Sequence, residues 1–242
     1  MCICTLPALL QPTPNINNSN SRMSSFSQVS SLSADELTLV SQKLANAFSN
    51  LCIRIHLDPL FRAILGEPPS SESKLAVDFF KAHILAGLQY GAVYTAGENL
   101  AALAVVFGPG TKMDYDKSAE WQDLLGRIPE ENRLWYESEF NDQCTKFSND
   151  AYGKGNQHKW WYLMVLGVEA SAQNQGLGKE LVNGLQRVAE ESNVPLCWQT
   201  TTAPLFYQHL GFEAVRKIKY SSPSGDIEEW AYVYQPPTVD SA

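Results

Sequence analysis

The most constraining feature of the chain is a glycine-containing run, Gln-Asn-Gln-Gly-Leu-Gly, at positions 173–178. Before it lies an uncharged apolar stretch at 160–168, which predicts a buried strand. After it, leucine and valine side chains recur at helical spacing over 177–188, which predicts an amphipathic helix. Glycines between a strand and a helix leave backbone N–H groups without a Cβ in front of them, and the helix N-terminus adds a partial positive charge. The run therefore predicts a cradle for a phosphate or diphosphate group.

Two common nucleotide-binding patterns do not fit this run. The Rossmann pattern needs a third glycine and an acidic residue about 20 positions further on, whereas Gly176 and Gly178 have no third partner. The Walker pattern needs Ser or Thr after the lysine, whereas Lys179 is followed by Glu180. Because glycine-rich turns before helices are common in α/β proteins, the run alone does not name a ligand.

A second signal lies at positions 201–212, Thr-Thr-Ala-Pro-Leu-Phe-Tyr-Gln-His-Leu-Gly-Phe. In this order and spacing the two signals resemble the GCN5-related N-acetyltransferase (GNAT) family. The family's loop reads Gln or Arg, two residues, Gly, one residue, then Gly or Ala, and its later segment reads Asn-x-Ala-x-x-Phe-Tyr-x-x-x-Gly-Phe. The residues that fill those places are Gln173, Gly176, Gly178, Ala203, Phe206, Tyr207, Gly211 and Phe212. Thr201 stands where the family usually has Asn, and residues 155–234 most resemble the antibiotic-inactivating branch typified by puromycin N-acetyltransferase.

The resemblance implies a fold, a co-substrate and a set of site residues. The fold is α/β with mixed α+β character, the acetyl-coenzyme A-binding GNAT fold, in which helices flank a mixed, mostly antiparallel, splayed central sheet. The co-substrate is acetyl-coenzyme A, and Tyr207 is the implied general acid that protonates the departing thiolate. The implied coenzyme-binding positions are Leu166, Gly167, Val168, Gln173, Asn174, Gln175, Gly176, Leu177, Gly178, Lys179, Thr201 and Phe206.

The acceptor side gives a weaker pattern, carried by a helical insert at about 117–150. Aromatic side chains recur along its second helix, from about Glu130, and a bulky insert favours a closed small-molecule pocket. Aromatic residues at helical spacing are more often core than ligand-binding, so both interpretations stay open. The predicted acceptor-site residues are Trp135, Tyr136, Glu139 and Phe140.

No single general base stands out in the sequence. Glu139 shares a helix with Trp135, whereas His158 and Glu169 flank the strand that precedes the glycine run. Each of these side chains also suits a solvated surface position. In related enzymes water can relay the proton, so the base need not be one side chain.

The rest of the chain divides into a tail, one domain and a short end segment. Residues 1–25 are rich in Ser, Asn and Pro and predict a disordered tail, 26–236 predict a single acetyltransferase domain, and 237–242 predict a flexible C-terminus. Ser33 and Glu36 form a capping box that opens a helix to about residue 48. Further predicted elements are a helix at about 71–90, a hairpin around 97–99, strands at 195–200, 214–220 and 228–234, and a short helix at about 204–210.

Composition narrows the partners. The net charge of −8 disfavours nucleic-acid binding, which draws on basic surface. The five cysteines are scattered without zinc-ligand spacing, which predicts no metal and reduced thiols of a cytoplasmic protein. No apolar run approaches the ~20 residues of a membrane span, so no membrane partner is predicted.

The sequence therefore predicts an enzyme, an acetyl-coenzyme A-dependent N-acetyltransferase acting on a small-molecule amine such as an antibiotic, a toxin or a metabolite. Two alternatives stay open. One is a non-catalytic acyl-coenzyme A-binding or regulatory domain, and the other is an acetyltransferase that acts on a protein or peptide amine. The sequence leaves the oligomeric state and the acceptor undefined.

Overall fold

Alternating apolar strands and amphipathic helices close into one mixed sheet with helices on both faces. The computed structural model describes residues 3–4, 25–49, 59–67, 70–112, 114–115, 117–202 and 204–237. The helices are α1 (Ala34–Ser49), α2 (Pro59–Leu65), α3 (Lys74–Tyr90), α4 (Ala119–Leu125), α5 (Glu130–Trp135), α6 (Asn141–Tyr152), α7 (Leu177–Ser192) and α8 (Pro204–His209). The strands are β1 (Ile3–Cys4), β2 (Ser27–Val29), β3 (Ala92–Ala96), β4 (Ala102–Phe107), β5 (Trp161–Val168), β6 (Leu196–Thr200), β7 (Arg216–Ser222) and β8 (Gly225–Tyr234).

The sheet has the strand order β2-β3-β4-β5-β6-β8-β7, and β1 pairs with β5 outside that order. All pairs along the order are antiparallel except β5 with β6, which is parallel, as is β1 with β5. The predicted mixed, mostly antiparallel sheet flanked by helices is confirmed.

The parallel strands β5 and β6 are hydrogen-bonded over only part of their length and then diverge. They pair only from Trp161 to Leu163, and the last pair joins Leu163 to Trp198. Opposite this point the β4–β5 register shifts, because Val105 faces Val165 while Val106 faces Leu163. Such a bulge bends the strand that carries the extra residue. We call the region beyond the Leu163–Trp198 pair, where β1 instead of β6 pairs with β5, the fork.

The two faces of the sheet carry different helices. On the first face, residues of α1 to α6 join one buried cluster. In this cluster the rings of Phe48, Phe61, Phe79 and Phe80 pack together, with centroid distances of 4.7–5.5 Å between contacting pairs. On the second face, α7 and α8 cover Leu163, Leu166, Trp198 and other residues of the central strands. Burial of such apolar surface is the main stabilising contribution to the fold.

Local signals set the ends of the first long helices. The capping box is confirmed, since the Ser33 N–H donates to Glu36 Oε2 at 2.8 Å and the Glu36 N–H donates to Ser33 Oγ at 3.2 Å. Helix α3 begins at Lys74, later than the predicted start at 71, because the Ser70 hydroxyl accepts from the Ser73 N–H at 3.0 Å and holds a turn there. The predicted hairpin around 97–99 is confirmed as β3–β4.

The insert differs from the predicted pair of helices. Helix α4 stands alone, while α5 runs through a π-helical turn, Tyr136–Phe140, directly into α6. A second difference is α2, a short helix that the sequence pattern did not single out. The closing strands also reach further than predicted, so that only residues 223 and 224 separate β7 from β8.

Two pieces of the segment predicted as a disordered tail, Ile3–Cys4 and Ser25, belong to the described residues. Ile3–Cys4 pair in parallel with β5 at Val165 and Leu166. Ser25 is fixed to the domain, since its hydroxyl donates to Glu180 at 3.1 Å and accepts from the Gly97 N–H at 2.7 Å. The intervening residues 5–24, and 238–242 of the predicted flexible end, lie outside the described residues. Within the described ranges, no helix combines the length and apolar character that crossing a bilayer requires.

Candidate functional site

The turn between β5 and α7 is built from backbone conformations that few residues adopt. The Gln173 side-chain amide donates to the Val168 carbonyl oxygen at 3.1 Å and so closes the turn on the strand end. Asn174 and Gly176 both have left-handed backbones, with φ of 63° and 86°. A Cβ on Gly176 would meet nothing within 4 Å, so the φ angle rather than crowding favours glycine there.

The N-terminus of α7 is open. Gly176 precedes the helix, and no side chain caps it. The first N–H groups of a helix have no partner inside the helix, and here they adjoin exposed residues. The exposed residues are Asn174, Gln175, Gly176 and Lys179. An uncapped, exposed helix N-terminus with its partial positive charge suits an anion.

The two sequence signals meet in space. An ideal Cβ on Gly178 would lie 3.2 Å from Phe206 Cζ, so the first turn of α7 packs directly on α8. Tyr207 is fully buried next to Phe206, with its ring 4.9 Å from that of Trp198. The Phe212 N–H donates to the Tyr207 carbonyl oxygen at 2.9 Å, which folds the end of the second signal back over α8.

These residues gather at the fork, on the second face of the sheet. Trp198 belongs to the last β5–β6 pair, and the buried Thr201 follows the end of β6. Leu166 and Val168 belong to the buried cluster of the same face, and Gly167 lies between them opposite Leu103. The coenzyme positions implied by the resemblance therefore form one neighbourhood around the β5–α7 turn, the fork and α8.

The predicted acceptor residues divide into two pairs. Tyr136 and Phe140 lie in the first-face core, where Tyr136 packs on Trp121 at 5.5 Å. Trp135 and Glu139 border a cleft of about 380 Å³ between the insert and the β7–β8 turn. We call it the acidic cleft, and its lining residues are Glu131, Leu134, Trp135, Glu139, Ser221, Ser222 and Pro223. The Trp135 indole donates to the Ser221 carbonyl oxygen at 3.1 Å and so ties its two walls together.

The acidic cleft and the β5–α7 turn border the same edge of the sheet. Because β5 and β6 are parallel, their carboxyl ends lie at one edge. Thr200, the last residue of β6, pairs with Trp230, and β8 extends beyond that pair to Gly225. The β7–β8 turn therefore projects past the carboxyl end of β6, on the side where the β5–α7 turn begins.

The candidate bases lie in different places. Glu169 follows β5 at this edge, where its carboxylate pairs with Lys43 Nζ at 2.9 Å. His158 is exposed and precedes β5, at the opposite edge of the sheet. A strand of eight residues spans about 26 Å, so His158 is too distant to take a proton at the fork.

A buried carboxylate on β8 was missed by sequence reasoning. Glu229 is fully buried, and the Tyr220 hydroxyl donates to its Oε2 at 3.5 Å. Burial, together with the Glu229 charge, raises the pKa of the Cys144 thiol well above its usual value. The sequence signal that could have revealed this burial is that Glu229 lies two residues from both Ile227 and Ala231 on β8. Alternate residues of a strand share a face, and these two are core residues of the first face.

Tyr115 and Tyr136, which lie near Cys144, form a pair of neutral phenols. Burial raises the pKa of Tyr115 to about 12 and raises that of Tyr136 well above its usual value. Both hydroxyls therefore remain protonated donors at neutral pH. Across the described part of the chain, no three His, Cys, Asp or Glu side chains come together as a metal-binding group.

Part of the chain matches a known family model. Residues 132–214 match the model described as the acetyltransferase (GNAT) domain. The match spans both sequence signals and most of the helix that borders the acidic cleft. Residues 132–214 are thus similar to the GNAT acetyltransferase domain, and the predicted class of enzyme, an N-acetyltransferase, is confirmed at that level.

Solved structures of low sequence identity share the fold. Arylalkylamine N-acetyltransferase 2 from Aedes aegypti aligns with a TM-score of 0.57 at 16% identity, over 89% of this chain and 100% of that one. A protein from Corynebacterium glutamicum, described as histone acetyltransferase HPA2 and related acetyltransferase, gives 0.54 at 18%, over 90% and 99%. Polyamine N-acetyltransferase from Drosophila melanogaster gives 0.52 at 12%, over 87% and 99%. At these identities the likeness shows the fold alone. A sequence comparison with curated proteins gave no match.

Proposed function

From the GNAT domain at residues 132–214, we propose that this protein is an acetyl-coenzyme A-dependent N-acetyltransferase that acetylates the amine of a small molecule. The observation that carries the proposal is the packing of the open α7 N-terminus against Phe206 and Tyr207 at the fork. An anion cradle and a buried phenol then serve one elongated ligand, with its phosphates at α7 and its reactive end at Tyr207.

The residues around the β5–α7 turn fit a coenzyme diphosphate. The turn from Gln173 to Lys179 offers backbone N–H groups at a helix end, and no acidic side chain lies within it. Lys179 is exposed in the first turn of α7, where its ammonium can add a favourable charge. On this side of β5, β1 pairs with Leu166, whereas Gly167 and Val168 lie beyond that pairing and offer backbone groups to the arm of the coenzyme. Thr201 with Phe206 borders the opposite side.

Tyr207 is the proposed general acid. Bound acetyl-coenzyme A would supply a thioester whose carbonyl carbon an amine attacks, with cleavage of the C–S bond. The phenol O–H of Tyr207 donates its proton to the sulfur, so that a thiol leaves rather than a thiolate. Burial of the phenol at the fork keeps water from competing for that position.

The acidic cleft is the proposed entry for the acceptor. Glu131 and Glu139 give it negative charge, and Trp135 with Leu134 gives it an apolar wall, which together suit a protonated amine on an apolar or aromatic frame. The fold relatives named for arylalkylamines and for polyamines make these two classes the first acceptors to test. A cytoplasmic role in detoxifying amines, from antibiotics to metabolites, belongs to the same proposal.

The test is release of coenzyme A thiol from acetyl-coenzyme A, measured over a panel of amines. The panel contains arylalkylamines, agmatine and polyamines, aminonucleoside antibiotics, and peptides with a free N-terminus or lysine. Turnover of a small amine well above that of any peptide supports the proposal. Turnover of peptides alone would assign a protein acceptor instead.

A binding measurement separates the remaining alternative. Calorimetry with coenzyme A shows whether the cradle is functional without any acceptor. Coenzyme binding with no turnover of any amine would identify a non-catalytic acyl-coenzyme A-binding domain, and absence of binding would contradict the proposal altogether.

A further inference from the structure

Among the residues that the structure describes, one buried indole N–H has no acceptor. Trp198 is 1% exposed, and its Nε1 has no hydrogen-bond partner among the described residues. Two other indoles of the sheet region are satisfied, since Trp161 donates to Ser192 Oγ at 2.8 Å and Trp135 donates to the Ser221 carbonyl oxygen. A buried donor that bonds nothing loses its hydration without compensation, so such groups are rare and call for an explanation.

The indole stands at the fork. Trp198 forms the last β5–β6 pair with Leu163 and belongs to the cluster on the face that carries α7 and α8. The Tyr207 ring lies 4.9 Å from it, the Phe212 ring 5.0 Å, and the Tyr232 ring is stacked on it at 5.4 Å. The indole that carries the orphan donor therefore packs against the proposed general acid and belongs to the residue of the last β5–β6 pair.

A water molecule is a poor partner for this donor. A buried water needs roughly two to four polar partners. The groups packed against the indole are the rings of Tyr207, Phe212 and Tyr232, which present mainly apolar surface. A ligand that brings its own acceptor into the fork suits the site better than solvent does.

We propose that the Trp198 indole N–H is a coenzyme-binding donor that bonds a carbonyl oxygen of the acyl-coenzyme A arm. The inference rests on the proposed function, because it takes that arm as the occupant of the fork in place of Ile3–Cys4, which pair with β5 there. The arm carries amide carbonyls along the pantetheine and one thioester carbonyl at its end. Trp198 thereby fixes the depth of the arm beside Tyr207, a role that the sequence motifs do not assign.

The first test observes the donor directly in the unaltered protein. The protein is labelled with ¹⁵N at the indoles, and the Trp198 Nε1–H signal is assigned by its loss in Trp198→Phe. We expect this signal to move downfield when coenzyme A or acetyl-coenzyme A is added. A shift with both ligands identifies a pantetheine amide as the acceptor, and a shift with acetyl-coenzyme A alone identifies the thioester. The Trp161 signal is the control and should stay in place.

The second test measures affinity. Trp198→Phe keeps an aromatic ring but removes the donor, and a hydrogen bond of ordinary net strength predicts an affinity for acetyl-coenzyme A that is about 2- to 12-fold weaker. Trp161→Phe, the matched control, should bind with wild-type affinity, since its indole faces Ser192.

The outcomes separate this inference from the proposed function. If wild-type protein binds the coenzyme while the Trp198 signal stays in place, the inference is overturned and the function stands. If wild-type protein binds no coenzyme, both fall. An equal loss of affinity in Trp161→Phe would assign the effect to packing of the sheet rather than to the donor.

Discussion

The β5–α7 turn and the acidic cleft border the same edge of the sheet, yet they are constructed in opposite ways. The turn uses backbone groups of residues that adjoin in sequence, from Gln173 to Lys179. The cleft uses side chains from the insert and the β7–β8 turn, whose hydrogen-bonded members Trp135 and Ser221 stand 86 positions apart. The first depends on local conformation, and the second exists only once the whole sheet is assembled.

Because of this difference, substitutions in the turn and in the cleft should have different effects. A backbone cradle tolerates many side chains but requires particular φ angles, so one added side chain or charge disables it. A cleft lined by side chains tolerates backbone adjustment, but each lining residue tunes which acceptor fits. We therefore expect substitutions in the turn to act on coenzyme binding as a whole, and substitutions in the cleft to act gradually and selectively.

The largest expected effect comes from Gly176→Glu. It places a carboxylate beside the proposed diphosphate and a side chain where φ is 86°. Two like charges about 4 Å apart near a protein surface repel by about 4 kcal/mol, so affinity for coenzyme A should fall by roughly 1,000-fold. Calorimetry checks this, and unchanged affinity in a folded variant would contradict the diphosphate assignment.

A matched control exists at the other end of β5. Gly155 also has a positive φ, 74°, and a Cβ there would likewise meet nothing within 4 Å. Gly155→Glu therefore imposes a similar backbone strain and the same charge, but far from the turn. It should leave coenzyme affinity near that of the wild type, so that any loss in Gly176→Glu reports the site rather than the strain.

Tyr207→Phe is expected to act on turnover instead of binding. It retains the ring but removes the proton donor, and general acid catalysis typically contributes about 10²–10⁴-fold. We expect kcat and kcat/KM to fall together by about that factor with little change in KM, because the hydroxyl acts on charge that develops in the transition state. Steady-state kinetics on the best amine of the panel measure it.

Tyr232→Phe is the control for packing. Tyr232 is also fully buried, its ring lies 5.1 Å from that of Tyr207, and its hydroxyl donates to the Pro204 carbonyl oxygen at 3.4 Å. Loss of the Tyr232 hydroxyl should change the stability of the protein more than its turnover. Near wild-type kcat in Tyr207→Phe would show that the phenol is structural and that another donor protonates the thiolate.

The sequence predicted best what is local. The capping box at Ser33, the β3–β4 hairpin and the strand-turn-helix around Gly176 each depend on neighbouring residues, and each is present. The contact between Gly178 and Phe206 was accessible only through the family resemblance, because nothing in the spacing alone brings α7 and α8 together.

What the sequence did not predict depends on register and packing. The unpaired indole of Trp198 follows from where the β5–β6 pairing stops, which is a property of the assembled sheet. The buried carboxylate of Glu229 is an exception to the rule that charged residues lie on the surface, so a hydropathy pattern does not predict its burial. The π-helical turn at 136–140 has about one more residue per turn than an α-helix. A 3.6-residue period therefore does not predict which of its side chains face the core and which face the cleft.

Mild acid should weaken the helices beneath the insert. His83 on α3 is buried between Phe79 and the α4 residue Trp121, and burial lowers the pKa of its imidazole to about 4. The unfolded chain takes up the proton near pH 6.5, whereas the folded protein resists until about pH 4. Stability from this site is therefore complete above pH 6.5 and is lost as the pH falls toward 4, by about 3 kcal/mol.

Denaturant unfolding between pH 7 and pH 4 measures this loss. Carboxylates also titrate in that range, so the informative quantity is the difference between wild type and His83→Phe, in which the acid-dependent loss should shrink. His158→Gln removes an exposed imidazole and serves as the control. A pH dependence that His83→Phe leaves unaltered would show that the buried imidazole is protonated in the folded protein after all.

The smallest effect is expected in the acidic cleft and gives the sharpest contrast with the turn. Glu139→Gln removes one exposed lining charge without changing the size of the side chain. Exposed ion pairs contribute about 0.2–1 kcal/mol, so KM for a dicationic amine such as agmatine should rise up to about five-fold, while KM for acetyl-coenzyme A stays constant. Added salt should shrink the difference, since it screens exposed charges.

Glu137→Gln tests whether the position of that charge matters. Glu137 belongs to the same π-helical turn, but it pairs with Arg133 at 3.1 Å and does not line the cleft. The two variants have the same net charge, so a general attraction between an acidic protein and a cationic amine would weaken equally in both. A rise in KM confined to Glu139→Gln places the amine in the cleft. Equal rises would mean that the cleft selects nothing, and that the acceptor reaches the fork by another path.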